Sequence, residues 1–74
     1  MNYETKDIWI ASALFSLNFK CEVEKVGERQ FIFVFEDSPE LREALNNYTR
    51  GKLSIDVSTL QTSYKTLKNL VFRS

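Results

Sequence analysis

The stretch that most limits what this chain can become runs from Arg29 to Leu41, RQFIFVFEDSPEL. Five large apolar residues, Phe31 to Phe35, stand in a row and stop at Glu36, Asp37 and Pro39. A run that short, made of aromatic and β-branched residues, reads as a strand rather than a helix. Upstream, Phe19, Cys21 and Val23 alternate with Lys20, Glu22 and Glu24, the pattern of a strand with one wet face. Gly27 marks a turn between the two runs, and side-chain parity limits its length. A two-residue turn at Gly27 and Glu28 would place Phe31 and Phe33 on the side of Glu22 and Glu24. An odd loop instead gathers Phe19, Cys21, Val23, Phe31, Phe33 and Phe35 on one face. The expected form is a three-residue loop, Lys25 to Gly27, with Gly27 left-handed.

Helical spacing governs the rest. In TKDIWIASALFSLNF, Thr5 or Asp7 can cap a helix by accepting from its free N–H groups, and Ile10, Ala13, Leu14 and Leu17 follow on one face. Trp9 and Phe15 fall beside that stripe, either widening it or leaving an aromatic edge at the surface. Asn18 stands where such a helix ends in a left-handed residue. In EDSPELREALNNYTRG, Ser38 or Asp37 is the natural cap, Pro39 fits the first turn, and Glu40 favours the positive end of the helix dipole. Leu41, Ala44, Leu45 and Tyr48 form the apolar stripe, and Gly51 closes it. Leu53 to Ile55 reads as an extended link or third strand. Asp56 then caps a last helix with Leu60, Tyr64, Leu67 and Val71 on one face, Leu70 and Phe72 lying to either side.

The order is helix, strand, strand, helix, short strand, helix. It predicts a small α+β domain, residues 1–74, in which an antiparallel hairpin packs against helices. At 74 residues the chain is near the lower size at which one apolar core suffices, so a second copy or a partner would help it. With 43% hydrophobic and 27% charged residues it has the composition of a folded protein rather than a disordered one. Its apolar runs are too short to span a bilayer, and MNYETKD lacks the basic start and apolar middle of a signal peptide, so a cytoplasmic protein is expected.

Taken together, ETKD before a helix, FIFVFEDSPEL, and a late RGKLSIDVSTL followed by LKNLV resemble a family of short uncharacterised proteins from bacteria and their phages or other mobile elements. The landmarks are Thr5 and Asp7, Phe19, Phe33 to Phe35, Gly51 with Asp56, and Leu67 with Lys68. Asn18 stands where the family is expected to prefer glycine before the aromatic residue. The resemblance covers nearly the whole chain and implies an accessory role in a phage or mobile element. It carries over no catalytic residue.

The residues themselves offer little to catalysis. There is no histidine, which removes Ser-His and Cys-His pairs and histidine-ligated metals together. Cys21 falls at an inward strand position, where a packed thiol is expected rather than a nucleophile. Glu36, Asp37, Glu40 and Glu43 lack the spacing of a calcium loop and read as dipole and capping residues. Gly27 and Gly51 are too isolated for a phosphate loop. No catalytic residue, metal or cofactor is therefore assigned.

Two binding readings stay open. The net charge of zero hides an asymmetry, minus three from Phe19 to Ala44 and plus four from Leu45 to Ser74. Arg50, Lys52, Lys65, Lys68 and Arg73 are thus candidate nucleic-acid contacts, with Tyr48, Tyr64 and Phe72 near them in sequence. If Phe31, Phe33 and Phe35 face the core, Ile32 and Val34 face away. Helices wrapping both sides of the hairpin would cover them. Otherwise they form an apolar stripe that, with Phe72, is the candidate protein interface, suited to another copy of the chain or another protein. The expectation is a non-catalytic interaction or adaptor module that pairs as a homodimer, with nucleic-acid binding as the alternative.

Overall fold

In the computed structural model, which describes residues 1–73, the Phe31 to Phe35 row is the middle strand of a three-stranded antiparallel sheet. The elements are β1 (Asn2–Thr5), α1 (Ile8–Ser16), β2 (Cys21–Lys25), β3 (Phe31–Glu36), α2 (Pro39–Thr49) and α3 (Val57–Arg73), with strand order β1-β3-β2. The α+β class is as the sequence implies. Ser74, the last residue of the expected unit, lies outside the described residues.

The hairpin register pairs Cys21 with Phe35, Val23 with Phe33 and Lys25 with Phe31. This is the odd-loop parity, reached with a longer loop than expected. Residues 26–30 form it, closed by Val26 N–H donating to the Gln30 carbonyl at 2.9 Å. Gly27 is not left-handed; Asn18 and Gly51 have positive φ instead. The longer loop distributes the reversal over five residues, so no single one needs that conformation.

The third strand is at the N-terminus, not at Leu53–Ile55. β1 pairs antiparallel with β3, Tyr3 opposite Phe35 and Thr5 opposite Phe33, and Asp37 N–H extends the pairing to the Met1 carbonyl. Leu53 and Ile55 are half-buried without joining the sheet, and pack their side chains toward the helices.

Both short helices end in the same way. After α1, Asn18 has φ 72°, its N–H donates to the Phe15 carbonyl, and Phe19 N–H reaches back to Leu14. After α2, Gly51 has φ 69°, its N–H donates to Tyr48, and Lys52 N–H reaches back to Asn47. These paired bonds satisfy carbonyls that a helix end leaves open. At the starts, Asp7 Oδ1 accepts from Trp9 and Ile10 N–H, Ser38 Oγ accepts from Leu41 N–H, and Asp56 Oδ2 accepts from Thr59 N–H. Of the two expected cap residues Asp7 is the cap, and Thr5 Oγ1 accepts from the Asp7 N–H just before the helix. With Ser38 as the cap, Asp37 is free to pair with Arg42 through two bonds of 2.9 and 2.7 Å. The Arg42 guanidinium lies 5.3 Å from the Tyr3 ring centre, tying α2 to β1.

The core lies on the Phe33 and Phe35 side of the sheet. Ala11 and Leu14 of α1, Leu41 and Ala44 of α2, and Leu67 of α3 close over those rings, with Tyr3, Phe19, Cys21 and Val23 packed beside them. α1 is buried further round than its stripe predicts, because Ala11 and Ser12 are buried as well. Alanine and serine keep that helix thin where α3 crosses it. Ser16 and Ser63 share a hydrogen bond of 2.8 Å at the crossing.

Candidate functional site

With the helices on one side, the other face of the sheet is formed by alternate residues of the three strands. The register sets Val34 between Glu4 and Glu22, Ile32 beside Glu24, and Glu36 beside Asn2. Neither helices nor a wide apolar stripe is found there. Val34, on the central strand with a neighbour on each side, is only 7% exposed, and Ile32 is half-buried. The other candidate interface residue, Phe72, is 76% exposed but belongs to α3 in the helical layer, so the fold does not bring it to Ile32 and Val34.

The exposed large apolar side chains are found mainly among the helices and their connections. A groove of about 380 Å³ opens between α1, the end of α2 and the start of α3. Trp9 and Ala13 form one wall, Tyr48 and Gly51 the opposite end, and Leu53, Ile55 and Leu60 the remainder. No charged side chain lines it. Its two rings stay open to solvent, Trp9 at 50% and Tyr48 at 37% exposure.

Each wall follows from a local feature. Trp9 is held by the Asp7 cap, one turn before the buried face of α1. Its ring stacks on Tyr64 of α3, centres 4.5 Å apart and planes 13° apart, so the wall is braced from behind. Gly51 supplies the left-handed turn that directs the chain from α2 into Leu53, and a Cβ there would meet no atom within 4 Å. Leu53 and Ile55 face inward from a segment that alternates half-buried and exposed residues. That alternation suggested a strand; it serves to line the groove.

The five basic candidates divide between two elements. Arg50 and Lys52 flank Gly51 and are exposed. Lys65, Lys68 and Arg73 are exposed on α3, and Lys68 Nζ sits 5.9 Å from the Tyr64 ring centre and 6.0 Å from that of Phe72. Cys21 is a free, half-buried thiol on β2. Burial pushes its thiol up to about 11, which the Val34 backbone hydrogen bond opposes and the charge of Glu22 reinforces. The Asp37 carboxyl is held below its ordinary value, chiefly by the hydrogen bond from Arg42, and so belongs to a structural ion pair. Among the described residues no three acids or cysteines gather closely enough to hold a metal ion.

Sequence periodicity left Trp9 between core and surface and assigned Tyr48 to a core stripe, and it did not bring either to Leu53 and Ile55. The signal available was the left-handed Gly51, which turns the chain back across α1. The chain matches, over residues 1–73, the family described as a domain of unknown function (DUF5659). The chain belongs to that family. No curated protein and no solved structure matches it. Among the described residues no helix is long and apolar enough to cross a membrane.

Proposed function

We propose that this protein is a non-catalytic interaction module, a cytoplasmic adaptor of a bacterium or its mobile elements, that seats an apolar side chain of a protein partner in the groove between Trp9 and Tyr48. The observation that carries the reading is the combination of two half-open aromatic rings with an otherwise aliphatic, uncharged lining. Binding surfaces of this kind draw their energy from a few aromatic anchors in apolar pockets. The lack of histidine and the protonated state of Cys21 support a binding rather than a catalytic role.

The partner is another protein in preference to a second copy meeting sheet to sheet. A symmetric dimer through Ile32 and Val34 would bring Glu4, Glu22, Glu24 and Glu36 of one copy toward those of the other, carboxylates that outnumber the Lys20 ammonium near Glu22 and Glu36, and like charges brought together oppose association. Light scattering over a wide concentration range tests this: a stable dimer broken by Ile32→Glu, with helix content intact, would restore the homodimer. For the groove itself, affinity capture with the wild-type chain is compared with Tyr48→Ala and Leu60→Glu. Partners lost with both variants, while circular dichroism is unchanged, support the groove; partners retained by both sink it.

Nucleic-acid binding is the second reading, favoured by the exposed Phe72 ring beside Lys68 and by the exposed cations of α3. Titration with a labelled single-stranded oligonucleotide at low salt tests it, since phosphate contacts give affinity that falls steeply with added salt.

A further inference from the structure

The charge around the groove is not neutral, although the whole chain is. Arg50 and Lys52 stand on either side of Gly51 at one end. At the other, behind Trp9 and Tyr64, is Lys68. The nearby acids are differently placed: Asp7 and Asp56 both accept hydrogen bonds from the helix starts they cap. Among the described residues the one ion pair is Arg42 with Asp37, so Arg50 and Lys52 are held in none. The glutamates at positions 4, 22, 24 and 36 are on the far side of the sheet. An apolar slot with Arg50 and Lys52 beside it therefore occupies one layer of the molecule, and a surface of four glutamates with Lys20 the other.

Resting on the groove reading above, we infer that the partner presents its apolar anchor within an acidic stretch of polypeptide. The anchor enters between Trp9 and Tyr48, and aspartates or glutamates beside it meet Arg50 and Lys52. The sheet face turns the same segment away, so charge selects both the partner and the side on which it docks. A peptide fits better than a nucleic-acid strand. The slot is apolar and takes a side chain, and the Tyr64 ring, which a base would stack on, is already engaged by Trp9 and Lys68.

Trp9 is the chain's one tryptophan, so the groove carries its own reporter. Three tryptophan-free peptides of equal length with the same central Leu-Phe pair are titrated against the intact chain. Their flanks are glutamates, glutamines or lysines, and Trp9 emission is followed at low and at high salt. The acidic peptide is expected to bind about tenfold more tightly than the neutral one at low salt, and to lose that advantage as salt screens the rim. The double variant Arg50→Glu, Lys52→Glu, on exposed positions, should reverse the preference toward the lysine peptide. Equal binding of acidic and neutral peptides would overturn the inference while leaving the groove as a binding site. If none of the three binds, both the inference and the groove reading fall. An oligonucleotide that binds more tightly than the acidic peptide would also overturn the inference, in favour of nucleic acid.

Discussion

At the scale of single residues, the two left-handed positions give the sharpest stability predictions. Asn18 carries a φ that glycine adopts without cost and that β-branched side chains resist. Asn18→Gly should leave stability unchanged or raise it by up to about 1 kcal/mol, and Asn18→Val should lower it by about 1–2 kcal/mol, read from urea midpoints. Asn18 was legible in the sequence because a helix stripe ends there and an aromatic residue follows. Gly27 was misread for a physical reason: glycine signals a turn, but how many residues share the turn depends on the strands it joins. Cys21 provides a pH test. Its thiol rises from an ordinary 9.0 to about 11 on folding, so the folded chain holds a proton that the unfolded chain releases in that interval. Its contribution to stability is complete below about pH 9 and is lost as pH rises through about 11. Cys21→Ala should flatten the alkaline fall in stability relative to wild type. In the native protein at pH 8, a thiol reagent should react with Cys21 at least about tenfold more slowly than in urea, because the thiolate is scarce and half-buried.

At the scale of elements, what the sequence showed was set by how much of each element is apolar. α2 and α3 follow their stripes in part: Leu41, Ala44 and Leu67 are buried, whereas Tyr48 is 37% exposed. α1 departs because small residues let a second helix approach a side that its spacing left polar, and Ser12 and Ser63 are buried at the crossing. Leu67 is fully buried beneath α3, whereas Phe72 of the same helix stands in solvent. Leu67→Ala should therefore cost about 2–5 kcal/mol, enough to unfold much of a domain this small, and Phe72→Ala should change stability by less than about 0.5 kcal/mol. Thermal melts of the two variants side by side check this contrast. β1 escaped the sequence reading because an edge strand needs only one wet and one half-covered face. NYET offers a single large side chain, Tyr3, to signal it. Its pairing comes from backbone groups, which are the same in every residue.

At the scale of the whole molecule, the layer order separates two surfaces of opposite charge. The hairpin and its parity were readable, and from them the outward direction of Ile32 and Val34. The groove was not, because its walls come from α1, α2 and the 53–55 segment, and no period in the sequence relates positions so far apart. On the sheet side, Val34 is covered by the side chains beside it, so substitutions there test packing and charge before they test partners. Val34→Glu would place three carboxylates in a row across β1, β3 and β2. It should destabilise the fold by about 1–3 kcal/mol more than Val34→Lys, whose ammonium would lie between Glu4 and Glu22. A smaller loss for the glutamate than for the lysine, in matched denaturation curves, would mean that those two carboxylates do not flank the site.

The central place of β3 also sets a timetable. During synthesis the residues of β1 leave the ribosome first, yet the strand that holds them, Phe31–Glu36, is completed about thirty residues later, after β2. Until then NYET has no partner, and the first helix is made before the sheet it will cover. A nascent chain halted just after Lys25 therefore carries an unpaired strand at each end and no core, whereas some ten further residues supply the partner of both at once.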